Sequence, residues 1–136
     1  MTTESYKLRP KPFWLRWLTP KNTWVAIFTR IYHPKGIDTG QYPALFGHEM
    51  MHLSQQREKG LIKWLFKYLT SKRFRLQQEV EAIVAELSFL PFNARMSVAK
   101  GYAKMLAGRE YWKAAPSAAE AFELIYWAAR HNEVGI

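Results

Sequence analysis

The chain has 136 residues, which is enough for one hydrophobic core and a single domain. It contains no cysteine, so disulfides are excluded and any zinc must be held by His and carboxylate ligands. Its 20 Lys and Arg against 11 Asp and Glu give a net charge of +9, which is compatible with an anionic partner but does not identify one.

Residues 1–22 are rich in proline and basic residues and predict an irregular arm with one short apolar turn, FWLRWL. This N-terminal segment lacks the apolar core of a signal peptide. No apolar run approaches the roughly 18 residues of a membrane-spanning helix. We therefore expect a cytoplasmic protein without a transmembrane segment, with its one domain at residues 23–136.

Residues 23–33, TWVAIFTRIYH, are dense in β-branched and aromatic side chains and are the best strand candidate. A loop containing proline and glycine follows. Hydrophobic periodicity, glycine and proline stops and a Ser-x-x-Glu capping box then predict five helices. The helices are expected at residues 42–59, 61–70, 76–90, 93–107 and 117–131, with SKRFR as a basic linker before the third. The expected fold class is α+β, a small sheet of two to four strands with a mainly helical body.

The second histidine of His48-Glu49-Met50-Met51-His52 follows the first by four residues, inside the first predicted helix. That spacing places both imidazoles on one face, one turn apart, where they can share a tetrahedral zinc ion. Glu49 is rotated to the side, where it can take a proton from a water molecule activated by the metal. The pattern predicts metal-assisted hydrolysis with Glu49 as general base.

Catalytic zinc needs a third protein ligand. The candidates are His33, His131 and three carboxylates of the helix predicted at 76–90, namely Glu79, Glu81 and Glu86. Glu79 lies about 80° from the centre of that helix's apolar stripe and Glu81 about 120° away on the other side. Glu79 is thus the favoured ligand and Glu81 a solvated group. Glu86, on the same side as Glu79, is a candidate for orienting a histidine.

These residues resemble the gluzincin peptidases, in which a glutamate helix follows the His-Glu-x-x-His helix. Glu79-Val80-Glu81-Ala82 matches the first four positions of the Glu-x-x-Ala-Asp motif of the membrane CAAX-prenyl endopeptidase group, with Ile83 in place of the Asp. His52-Leu53-Ser54-Gln55-Gln56 matches the His-x-x-Gln-Gln of short, uncharacterised bacterial and phage zincins. The resemblance covers roughly residues 24–90. It implies a minimal zincin-like core with one zinc ion bound by His48, His52 and Glu79.

The sequence therefore predicts a zinc-dependent peptidase that acts on a peptide or protein substrate. The predicted strand could pair with an extended substrate, with Ala26 and Phe28 as candidate substrate-binding residues, or it could be an interior strand. A donor for transition-state charge is also needed. The open candidates are Tyr42, Tyr68, Tyr111, Tyr126 and His131.

The alternative is a non-catalytic binding protein, for nucleic acid or a protein partner, with a structural or vestigial metal site. The segment from Lys63 to Arg75 interleaves basic and aromatic residues, a pattern found in surfaces that bind nucleic acid or anionic membranes. A solvated basic face over an amphipathic core helix is the favoured interpretation.

Overall fold

A computed structural model describes residues 7–19, 23–27, 29–36 and 42–136 of the chain. Phe28 and the larger part of the loop expected after residue 33 lie outside the described residues. None of the described helices is both long and apolar enough to cross a bilayer.

The N-terminal third forms a small three-stranded sheet. Its strands are β1 (Lys7–Pro10), β2 (Val25–Ile27) and β3 (Arg30–His33), in the spatial order β1-β3-β2. β1 runs parallel to β3, and β2 runs antiparallel to it, with Ala26 opposite Ile31.

Two expectations for this region are wrong. The segment 23–33 is a hairpin and not one strand, since β2 and β3 pair in antiparallel orientation. The sequence did not predict the reversal because no glycine, proline or asparagine marks a turn between Ile27 and Arg30. Residues 7–10 form a strand rather than part of an irregular arm. Pro10 is tolerated there because β1 is an edge strand, where a missing backbone N–H costs little. The apolar turn is present as the short helix α1 (Phe13–Leu18).

Five longer helices make up the remainder of the described fold. They are α2 (Pro43–Lys59), α3 (Leu61–Thr70), α4 (Lys72–Ser88), α5 (Phe92–Ala107) and α6 (Ala118–His131), with a 3-10 turn at Arg109–Tyr111. All five expected helices are confirmed. The fold class is α+β with a mainly helical body, as expected.

The start of α4 differs from the expectation by four residues. The basic segment SKRFR is the first turn of this helix and not a linker. Ser71 is the N-cap, and its hydroxyl accepts a hydrogen bond from the backbone N–H of Phe74 at 3.2 Å. Positive charge at a helix N-terminus opposes the helix dipole, which is why the composition indicated a linker.

The apolar interior has two parts. α4, α5 and α6 enclose the larger one, whose fully buried members include Ile83, Leu87, Leu106 and Ile125. The smaller one lies between the sheet and α2 and is centred on Ile31.

The interface of α2 with α4 has a different character, because much of what it buries is polar. The buried polar residues of α2 include His48, Glu49, His52 and Gln55, and those of α4 include Gln78, Glu79 and Glu86. Buried polar groups cost free energy unless they find partners, so this interface is either a hydrogen-bonded network or a binding site.

Candidate metal centre

α2 and α4 bring three predicted ligands to one point. His48 and His52 lie one turn apart on α2, with ring centroids 4.9 Å apart. Glu79 faces them from α4. The potential ligand atoms of these three side chains all lie within 4.8 Å of one another. The helical spacing of the histidines and the phase of α4 produce the cluster that the sequence predicts.

The distances within the cluster fit a shared metal ion. Nε2 of His48 lies 3.3 Å from one carboxylate oxygen of Glu79, and Nε2 of His52 lies 3.3 Å from the other. Charge-assisted N–H···O hydrogen bonds are shorter, about 2.7–2.9 Å. Two ligand atoms about 2.0–2.1 Å from a tetrahedral zinc ion stand about 3.3 Å apart. Both distances are those of an ion pair, and both are also compatible with two ligand atoms around one metal ion.

Two buried atoms of the cluster make ion-pair contacts but no hydrogen bond. Among the described residues, Nδ1 of His48 and Oε2 of Glu79 are buried and have no hydrogen-bond partner. Buried polar atoms without partners are rare in folded proteins and call for an explanation. A cation coordinated by the carboxylate of Glu79 would give Oε2 a partner. Two histidines and a glutamate are also a donor set that binds zinc.

A glutamine positions the second histidine. Nδ1 of His52 donates to the side-chain carbonyl of Gln55 at 2.9 Å, which leaves Nε2 free to ligate. The amide nitrogen of Gln55 in turn donates to the backbone oxygen of Gln78 at 3.0 Å and to the carboxylate of Glu81 at 2.9 Å. Gln55 is thus held on both sides, and it fixes the tautomer and the ring orientation of His52.

We expect Gln55→Ala to lower zinc affinity by about 10–100-fold, the usual cost of losing a group that supports a ligand. The matched control is the neighbouring Gln56→Ala. Gln56 is also buried, but its side-chain amide donates to the backbone oxygen of Ala26 in β2, on the side of α2 that faces the sheet. Competition titration with a chromophoric chelator measures both affinities, and an equal loss in the two variants would contradict the role given to Gln55.

The first histidine has a carboxylate behind it. Oε1 of Glu86 lies 3.5 Å from Nδ1 of His48, close enough for an ion pair but not aligned as a hydrogen bond. The same oxygen accepts a hydrogen bond from the hydroxyl of Tyr102 at 2.8 Å, and the ring of Tyr102 stacks on His48. Glu86 lies where a group that orients His48 is expected. Tyr102 was missed from the sequence, because nothing in the pattern of α5 distinguishes it.

Glu49 lies beside the cluster and is 5% exposed. Burial raises the pKa of its carboxyl group, and the charges of His48 and His52 offset only part of that rise. A carboxylate with a raised pKa is a better proton acceptor near neutral pH. Lys11 was missed by sequence reasoning although it too is buried. Burial lowers the pKa of Lys11, while the negative charge of Glu49 acts in the opposite direction.

Electrostatics tie Glu79 to His52. Burial alone would lower the pKa of His52. The charge and hydrogen bond of Glu79, together with Glu49 and Gln55, outweigh burial and raise that pKa to about 9. Burial alone would raise the pKa of Glu79, but His52 and His48 together bring it below its usual range. The site therefore concentrates negative charge that a cation, either a proton on His52 or a metal ion, must balance.

Two tyrosines from the list of candidate donors lie near the cluster. The hydroxyl of Tyr68 donates to Oε1 of Glu79 at 2.5 Å. Burial raises the pKa of Tyr111 far above its usual value, and the charges of Glu79 and Glu49 add to the rise. Both tyrosines therefore remain neutral hydrogen-bond donors at physiological pH.

The other candidates lie elsewhere. His33 ends β3 and pairs through Nδ1 with the backbone oxygen of Pro34, and His131 is exposed at the end of α6. Tyr42 precedes α2 and is 42% exposed, and the hydroxyl of Tyr126 accepts from Arg130. Glu81 is exposed and reaches the site only through Gln55. Of the proposed third ligands, Glu79 alone joins the two histidines.

The candidate substrate-binding strand β2 lies at an edge of the sheet and against α2. Ala26 is buried, and its backbone oxygen already accepts a hydrogen bond from Gln56 at 2.8 Å. Phe28 is outside the described residues.

The molecule is thus an α+β protein whose two central helices enclose a cluster of two histidines and a glutamate. No family model, no curated protein and no solved structure matches the chain. Its function must therefore be inferred from the site itself.

Proposed function

We propose that the protein is a zinc-dependent peptidase that binds one zinc ion through His48, His52 and Glu79. The observation that carries the proposal is the convergence of these three ligand groups within 4.8 Å, with Glu49 adjoining His48 on the same helix. His, His and carboxylate donors with a neighbouring free carboxylate are the parts that metal-assisted hydrolysis requires.

A zinc ion at this position supplies a Lewis acid that brings the pKa of a water molecule down toward about 7. The residues of the chain do the remaining work. Glu49 accepts the proton of the attacking water, and its raised pKa suits that role. Gln55 holds the ring of His52, and Glu86 lies behind the ring of His48. The hydroxyl of Tyr68 donates its one proton to Glu79 and so steadies that carboxylate. Tyr111, whose hydroxyl is neutral and near the cluster, is the remaining candidate donor to developing negative charge.

The proposed substrate class rests on β2. An edge strand beside the helix that carries the histidines can pair with an extended peptide through backbone hydrogen bonds. Because the carbonyl of Ala26 already bonds to Gln56, we expect pairing to use other backbone groups of this strand.

A second function has an observation of its own in its favour, namely the burial of the site. His48, Glu49, His52 and Glu79 are each less than a tenth exposed. Catalytic zinc needs an open coordination position and a path for substrate, whereas structural zinc is enclosed. The second candidate is therefore a non-catalytic protein in which zinc joins α2 to α4 and stabilises the fold.

One experiment tests the first function and separates it from the second. Proteins of a cell lysate are incubated with the zinc-loaded protein, with and without a chelator, and new peptide termini are identified by mass spectrometry. A peptidase should produce new termini that disappear with the chelator. Stoichiometric zinc without any new termini, together with a large fall in melting temperature on chelation, would contradict the peptidase and support the structural site.

A further inference from the structure

α3 presents an apolar surface to solvent. The sequence predicts that Leu61, Trp64, Leu65, Tyr68 and Leu69 face the core. Trp64 is buried, but Leu69 is 60% exposed. Ile62 and Phe66 are 83% and 67% exposed. Ile62, Phe66 and Leu69 are spaced by four and three residues, so they form one stripe on the outside of the helix. We call these three residues the outer stripe of α3.

The outer stripe is bordered by positive charge. Lys63 and Lys67 are exposed and lie about 90° and about 130° around α3 from the centre of the stripe. The ammonium group of Lys67 also lies over the ring of Phe74, 5.7 Å from its centre. Exposed Lys59 is the last residue of α2, two residues before α3 begins, and exposed Lys72 and Arg73 begin α4. Residues 59–78 contain no Asp or Glu. A soluble helix ordinarily turns charged and polar residues toward solvent, so an exposed stripe of large apolar residues calls for a partner.

The geometry points to a peripheral docking surface for an anionic lipid bilayer, formed by the outer stripe of α3 and the surrounding lysines. A helix with large apolar side chains on one exposed strip and lysines beside it is suited to lie in the plane of a membrane interface. The apolar side chains enter the headgroup and acyl boundary, while the lysines contact anionic headgroups. The positive net charge of +9 favours approach to such a surface.

Nucleic acid is a poorer fit to the same surface. A phosphate backbone would use the lysines, and Phe66 could stack on a base. The aliphatic side chains of Ile62 and Leu69 have no comparable contact to make with a phosphate backbone, yet they are among the most exposed apolar groups of the described chain. A bilayer would bury all three members of the stripe.

Co-sedimentation with vesicles tests the proposal. Vesicles of phosphatidylcholine alone are compared with vesicles that also contain phosphatidylglycerol, at low and at physiological salt. The wild-type chain should sediment with the anionic vesicles and not with the neutral ones, and salt should weaken the binding. The assay measures sedimentation and not hydrolysis, so its outcome is independent of the proposed peptidase activity.

The variants each have a matched control. Phe66→Ser should weaken vesicle binding about tenfold or more, while Phe92→Ser should not. Phe66 and Phe92 are 67% and 66% exposed, on different helices. The double variant Lys63→Gln, Lys67→Gln should weaken vesicle binding about 25-fold, at roughly fivefold per lysine. The pair Lys100→Gln and Lys104→Gln removes the same charge from exposed sites with the same spacing on α5 and should have little effect.

Circular dichroism of each variant shows whether the helices are retained. If Phe66→Ser does not fold, the double variant Lys63→Gln, Lys67→Gln still tests the proposal. Equal losses in the α3 and α5 variants would show that binding reflects overall charge and would overturn the proposal. Absence of binding to anionic vesicles would overturn it as well. The proposal would also be overturned if the chain bound a nucleic-acid duplex but not vesicles, and if that binding were lost in the lysine variants and unchanged in Phe66→Ser.

Discussion

Glu49→Gln is expected to lower peptide hydrolysis by about 10²–10⁴-fold, the usual scale for loss of a general base. Zinc content should stay at the wild-type level, because the ligands are His48, His52 and Glu79. The substitution keeps the size and nearly the shape of the side chain while removing the basic oxygen that accepts the proton. It also removes a carboxylate whose buried position raises its pKa, so the folded state should lose little stability.

The control for this experiment is Glu58→Gln, which removes a carboxylate from an exposed position of the same helix. It should retain full hydrolysis. Rates are measured on a peptide that contains a cleavage site found in the lysate experiment, and zinc is measured in the same preparations. Metal-dependent cleavage that continues unchanged in Glu49→Gln would refute the role given to Glu49.

Glu79→Gln is expected to reduce zinc affinity by more than the roughly 10–100-fold that follows loss of a group behind a ligand. The carboxylate of Glu79 faces both histidines at 3.3 Å, and its negative charge has no substitute at that position. The glutamine variant keeps an oxygen that can accept the hydrogen bond from Tyr68, so the change isolates the charge.

Glu81→Gln is the matched control, two residues along the same helix. Glu81 is exposed, and its glutamine replacement can still accept the hydrogen bond from Gln55. Its zinc affinity should stay close to that of the wild type. A large loss with Glu81→Gln and none with Glu79→Gln would show that Glu79 is not the third ligand.

The part of the fold that the sequence predicts best is the set of helices, because their ends carry local signals. Gly60 ends α2 at a positive φ of 84°, and Ser117 caps α6 by accepting from the backbone N–H of Glu120. The hairpin of β2 and β3 lacks such a signal, and the strand β1 depends on pairing with β3 across about twenty residues of chain. Pairing over that distance is decided by packing rather than by local sequence.

In the candidate site too, local sequence predicts the position of some residues, while the position of others depends on how the helices pack. His48 and His52 belong to one helix, so their spacing alone predicts their common face, and the phase of α4 predicts that Glu79 is buried. Tyr102 comes from α5, and its approach to Glu86 depends on how three helices pack. Gln55 carried a usable signal, since it follows His52 by three residues and therefore shares its face.

The account stands on one zinc ion held by His48, His52 and Glu79, and element-resolved mass spectrometry of protein purified without a polyhistidine tag measures it directly. The wild-type chain should contain one zinc ion, and the double variant His48→Ala, His52→Ala should contain none. The chain has four histidines, so the variant His33→Ala, His131→Ala is a matched control and should keep its zinc. Zinc-free wild-type protein after reconstitution, or full zinc in the double variant His48→Ala, His52→Ala, would contradict the account.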